Sequence, residues 1–102
     1  MSYIVTRTHT RPNTEVNWYT GSPIFTPEYA AWIGENWIDN GKLSFETVYS
    51  EDLLTMTVTI TAQDEATWND LIVQQQHIDF QEAKLAYNTE NGIIQTTTFA
   101  TV

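Results

Sequence analysis

The chain has 102 residues, four Lys and Arg against thirteen Asp and Glu, a formal net charge of −9 and no cysteine. That length fits one domain, residues 1–102, and the lack of Cys excludes a disulfide framework, a thiolate metal site and a Cys nucleophile. Arg7, Arg11, Lys42 and Lys84 are scattered and form no basic stripe for nucleic acid or an anionic membrane surface.

Ser2 to His9 is β-branched and aromatic with alternation and reads as the first strand. Thr10 to Phe25 contains Pro12, Gly21 and Pro23 and reads as a long loop, of a length often tied to function. Thr26-Pro27-Glu28 is a helix start: Thr caps, Pro suits the first position and Glu complements the dipole. Tyr29, Trp32, Ile33 and Trp37 then define a helical face that ends at Asn40-Gly41, with Gly34 read as a close backbone approach.

Leu43 to Ala62 reads as a hairpin. A two-residue turn at Glu51-Asp52 pairs Tyr49 with Leu54, Thr47 with Met56, Phe45 with Val58 and Leu43 with Ile60, all on one face; Glu-Asp is a poor primed-turn dipeptide, so a longer loop in a similar register is the alternative. The other face carries Ser, Thr, Val48 and a single charge, Glu46. Thr61 to Asp64 resembles a capping box and opens a helix through Trp68, Leu71, Ile72 and Gln75 to about Gln76. His77-Ile78 reads as a break, and Asp79 to Glu82 as a second box opening a short helix with Phe80, Ala83, Lys84 and Tyr87 on one face. Asn91-Gly92 is a turn, and Ile93 to Val102 the last strand.

The order is the ferredoxin-like βαββαβ pattern: α+β, a four-stranded antiparallel sheet with helices on one face. The neutral, Thr-rich opposite face suits burial against a second sheet, which predicts a sheet-to-sheet homodimer. A solvated Thr-rich face is the alternative, since Thr is a good strand former.

The strand-helix-hairpin-helix-strand order and the segment TAQDEATWNDLIVQQQHIDF, Thr61 to Phe80, resemble the dimeric α+β barrel superfamily. The nearest branch is that of the antibiotic-biosynthesis-monooxygenase-like proteins, in which a strand leads into a helix of the form acidic-acidic-Ala-x-aromatic, here Asp64 to Trp68. The resemblance implies a homodimer with a pocket between sheet and helices. The family includes cofactor-free oxygenases of aromatic polyketides, haem-degrading enzymes and members of unknown function. This chain departs from it in the Thr10 to Phe25 loop and matches neither a haem-ligand His nor a defined catalytic set.

Candidate chemistry is sparse. His9 and His77 are the only histidines, with no metal-ligand spacing, so neither a metal nor another cofactor is expected. His9, near Arg7 and Arg11, could form an anion site at the loop mouth, or be an exposed strand end. His77 with Asp79 could supply ligands, or cap the end of the second helix as a cation. Glu46, if buried in a dimer, could titrate as a general base, or pair with Arg7. These three are the catalytic candidates. Trp18, Tyr19, Trp32, Trp37, Trp68 and Tyr87 are the ligand-pocket candidates, suited to a flat apolar ligand; their bland role is core packing and loop anchoring. Trp32 and Trp37 lie five apart and share no helical line, so one of them is expected to face the edge of the core.

The leading reading is a small dimeric protein that binds a flat organic ligand. A cofactor-independent monooxygenase acting on an aromatic substrate is the enzyme alternative, and a structural or accessory protein without a ligand is the third. Met1 to Val5 lacks signal-peptide features, and no apolar run reaches the roughly 20 residues of a membrane span, so a cytoplasmic protein without membrane or nucleic-acid partners is expected.

Overall fold

The computed structural model describes residues 1–21 and 23–102; Ser22, in the predicted long loop, lies outside the described residues. Four strands, β1 (Tyr3–Thr10), β2 (Leu43–Tyr49), β3 (Thr55–Ala62) and β4 (Ile94–Thr101), form one antiparallel sheet in the order β2-β3-β1-β4. Helices α1 (Pro27–Ile33), α2 (Glu65–Ile72) and α3 (Gln75–Glu90) complete a ferredoxin-like α+β fold. None of them is long and apolar enough to cross a membrane.

Alternation along the central strands sorts the side chains. Val5, Arg7 and His9 of β1 lie beside Ile60, Val58 and Met56 of β3, on the face that the helices cover. Thr6 and Thr8 lie beside Thr59 and Thr57 on the open face. The buried residues Val5, Ile33, Trp37, Leu43, Met56, Ile60, Trp68 and Leu71 build the core between sheet and helices. On β2 only Leu43 is buried, and Phe45 remains 44% exposed.

The hairpin differs from its predicted register by two residues. Tyr49 pairs with Met56, Thr47 with Val58, Phe45 with Ile60 and Leu43 with Ala62. Glu-Asp does not supply the positive φ of a primed turn, so the chain makes a wider one. Asp52 Oδ1 accepts from Ser50 Oγ at 2.6 Å and from the Leu54 N–H at 3.0 Å. Leu53 takes the left-handed conformation at φ 62°. An even shift keeps every side chain on its predicted face. Arg11 clamps the turn by donating from its backbone N–H to Leu54 O at 2.9 Å and from Nε to Leu53 O at 2.8 Å.

Thr26 caps α1, its Oγ1 accepting from the Tyr29 N–H at 3.1 Å, with Pro27 in the first turn. The helix then widens into a π turn, Gly34–Ile38, closed by Asp39 N–H to Gly34 O at 2.8 Å. Trp37 is buried in the core and Trp32 sits partly buried at its edge, with the two ring centroids 6.2 Å apart. Gly34 makes no close approach, since a Cβ there would meet nothing within 4 Å.

The helix boundaries after β3 also differ. Thr61 and Ala62 belong to β3, and the cap is Asp64, whose Oδ1 accepts from the Thr67 N–H and Oγ1, both at 2.7 Å. The break falls at Val73-Gln74, where Gln74 is extended at φ −74° and ψ 133°, rather than at His77-Ile78. Asp79 therefore lies inside α3 and caps nothing.

Candidate active site

The break between α2 and α3 decides what faces the sheet. On α3, His77, Phe80, Gln81 and Lys84 fall at i, i+3, i+4 and i+7 and form one stripe. All four line a cavity of about 280 Å³ between helices and sheet. Tyr19 and Tyr29 close one side, Phe45, Val58 and Ile60 form the floor, and Arg7 enters from β1. The Tyr29 and Phe80 rings stack at 4.2 Å and 14°, so the wall is flat and aromatic.

The polar groups are few and deeply placed. Tyr29 Oη lies 3.1 Å from His77 Nδ1, and the His77 ring is 4% exposed. Its Nε2 has no hydrogen-bond partner among the described residues. Burial first, then the Arg7 and Lys84 charges, push His77 down to about 4, so the imidazole is neutral near pH 7. Burial likewise raises Tyr29 and Tyr19 above the ordinary tyrosine value, keeping both phenols protonated. Lys84 is 1% exposed, with Nζ 5.5 Å from the Tyr19 ring centroid and 5.8 Å from that of Phe80. Burial, with Arg7 adding repulsion, pushes its amine down to about 6. The Arg7 guanidinium carbon stands 5.5 Å from the Trp68 ring centroid, and Nε has no partner among the described residues.

The structure assembles this site from residues other than most of the expected ones. Of the six aromatic candidates only Tyr19 lines the cavity. Trp18 is buried under Arg11, 4.7 Å from ring to guanidinium, and pins the loop. Tyr87 donates from Oη to Asn17 O at 2.6 Å and ties the same loop to α3. Trp37 and Trp68 are core, and Trp32 packs beside Trp37.

Among the catalytic candidates, His77 faces the cavity and the cation-cap role for it is overturned: it sits in the first turn of α3, buried and neutral. His9 is not an exposed strand end but 0% exposed, 5.3 Å from the Tyr19 ring, and burial, then Lys84 and Arg7, push it down to about 4. Glu46 lies beside Thr59 on the open face, whereas Arg7 lies beside Val58 on the covered face, so the two do not pair.

Arg7, Tyr29, Phe80, Gln81 and Lys84 line the cavity without having been candidates from the sequence. For Phe80, Gln81 and Lys84 the signal is their spacing with His77 along α3, hidden because that stripe is mostly polar; Arg7 on β1 and Tyr29 on α1 carry no such signal.

No protein-family model and no curated protein sequence matches the chain. Solved structures do. One is SnoaB, a cofactor-independent oxygenase from Streptomyces nogalater, at TM-score 0.69 and 10% identity over 99% of this chain and 92% of that one. A dimeric ferredoxin-like protein from an uncultured marine organism matches at TM-score 0.57 and 13% identity over 99% and 94%. Another, of unknown function, from Jannaschia sp. CCS1, matches at 0.51 and 14% over 93% and 97%. The shared property is the fold, and it is the ferredoxin-like fold that the resemblance implied.

Proposed function

We propose that this chain works as a homodimer joined through the open sheet face, and that the cavity between helices and sheet binds a flat organic ligand. The observation that carries the ligand reading is the cavity itself: a mostly aromatic and aliphatic lining that also includes Arg7, His77, Gln81 and Lys84. The dimer reading is supported by the open face, where Glu46 is the single charged side chain among the described strand residues. It is further supported by the dimeric descriptions of two of the structural neighbours. Sedimentation equilibrium at micromolar concentration is expected to return twice the chain mass, and a monomer contradicts the dimer. Quenching of Trp fluorescence and a raised melting temperature with quinones or flavins are expected, and silence across such a panel contradicts the ligand site.

The enzyme reading, a cofactor-independent oxygenase of an aromatic substrate, draws support from the Tyr29–His77 pair in the cavity and from the fold shared with SnoaB. With Tyr29 Oη against Nδ1, the neutral ring presents Nε2–H to the cavity, a donor able to stabilise an oxyanion formed on an aromatic substrate. Oxygen consumption with a polyphenol, lost in His77→Ala, is the expected result under that reading, and no consumption contradicts it.

A further inference from the structure

The cavity has a charge problem that its own residues do not solve. Arg7 and Lys84 both line it, and no Asp or Glu does among the described residues. Two further donors face inward without partners, Gln81 Nε2 and His77 Nε2, together with Arg7 Nε. A cation held away from water without a counter-charge is costly. For Arg7 a cation–π contact with Trp68 offsets only part of that cost, and the Lys84 amine, beside the Tyr19 and Phe80 rings, avoids it near pH 7 by giving up its proton.

Resting on the reading of this cavity as a ligand site, we infer that its ligand is a planar aromatic oxyanion, a carboxylate or phenolate. Its charged oxygen lies between Arg7 and Lys84, where Gln81 and His77 add donors. Its ring lies against Tyr29 and Phe80. The cavity volume of about 280 Å³ suits a body of about two fused rings and leaves no room for a nucleotide.

The groups facing Lys84 set how binding couples to pH. Arg7 and His9 come from β1, Tyr19 from the loop, Tyr29 from α1 and His77 from α3. Near pH 7 both histidines and both tyrosines are neutral, Arg7 is a fixed positive charge and the Lys84 amine is mostly unprotonated in the empty cavity. An arriving anion favours the ammonium form, so binding takes up a proton and weakens as pH rises from 7, by up to about tenfold per unit.

Isothermal calorimetry with 2-naphthoate and its neutral isostere 2-acetylnaphthalene tests this. The naphthoate is expected to bind at least about tenfold more tightly, since hydrogen bonds to charged groups are the strong ones. Its heat is expected to vary with buffer ionisation enthalpy, the mark of proton uptake. Lys84→Met is expected to lose the preference and the uptake while the ketone still binds. Equal binding of the two probes, or naphthoate affinity and uptake unchanged in Lys84→Met, overturns the oxyanion and leaves the ligand site standing. Binding of neither probe overturns both. 4-Nitrophenol extends the test to phenolates: uptake as the yellow phenolate supports the inference, and uptake as the colourless phenol counts against it.

Discussion

On β1, Arg7 and His9 point under the helices, while Thr6 and Thr8, one residue away, point to the open side of the sheet. The covered face thus holds Arg7, Lys84 and two imidazoles, with no carboxylate lining the cavity among the described residues. The open face holds short neutral side chains beside the lone Glu46. Charge buried at a cost is retained where it does something; a neutral β-branched surface costs little to cover. The contrast supports the proposed division, a ligand site on the first face and association through the second.

The largest expected effect breaks the association face. Thr8→Glu puts a carboxylate between Thr57 and Thr96 in the middle of the sheet. A charge buried without a partner costs several kcal/mol, so the dimer is expected to dissociate to monomers in sedimentation equilibrium with the cavity intact. A dimer that survives breaks the assignment.

On the covered face the opposite sign is expected. Lys84→Met removes a buried amine in a helix and keeps the volume, so the unliganded protein gains about 1–3 kcal/mol in urea unfolding. Loss of stability would mean that Lys84 has a partner here.

The histidines give a pH signature of the same face. In the folded chain His9 and His77 titrate at about 4, below their ordinary 6.5. Between these values the unfolded chain binds protons that the folded chain does not, so stability falls as pH drops from about 6.5 to about 4. NMR titration of both rings checks it; ordinary values for both would contradict their burial.

The smallest effect is local. Tyr29→Phe removes the partner of His77 Nδ1 and is expected to cost about 1 kcal/mol and to move the His77 titration but not that of His9.

Element order was readable because its signals are local. The period-two Thr alternation of β3 and the Thr26-Pro27-Glu28 start each depend on near neighbours. The hairpin register was readable only to an even shift, since face assignment is blind to two-residue slips. Helix starts failed where several acidic residues competed as caps: Asp64 caps and Asp79 does not. The cavity lining was hard to read for a different reason. Large indoles attract attention as ligand walls, yet Trp37 and Trp68 fill the core. The wall is built by Tyr29 and Phe80, and the chemistry by Arg7 and by the polar stripe of α3. No apolar periodicity marks that stripe, because its buried residues are His77, Lys84 and Asn88.

The contrast between the two faces is tested most directly by a heteronuclear NMR titration of the protein with 2-naphthoate. The predicted result is saturable shifts at Arg7, Tyr29, His77 and Lys84, with Thr6, Thr8, Thr57 and Thr59 unmoved. Shifts confined to the threonine face, or no saturable shift at the four cavity residues, would contradict it.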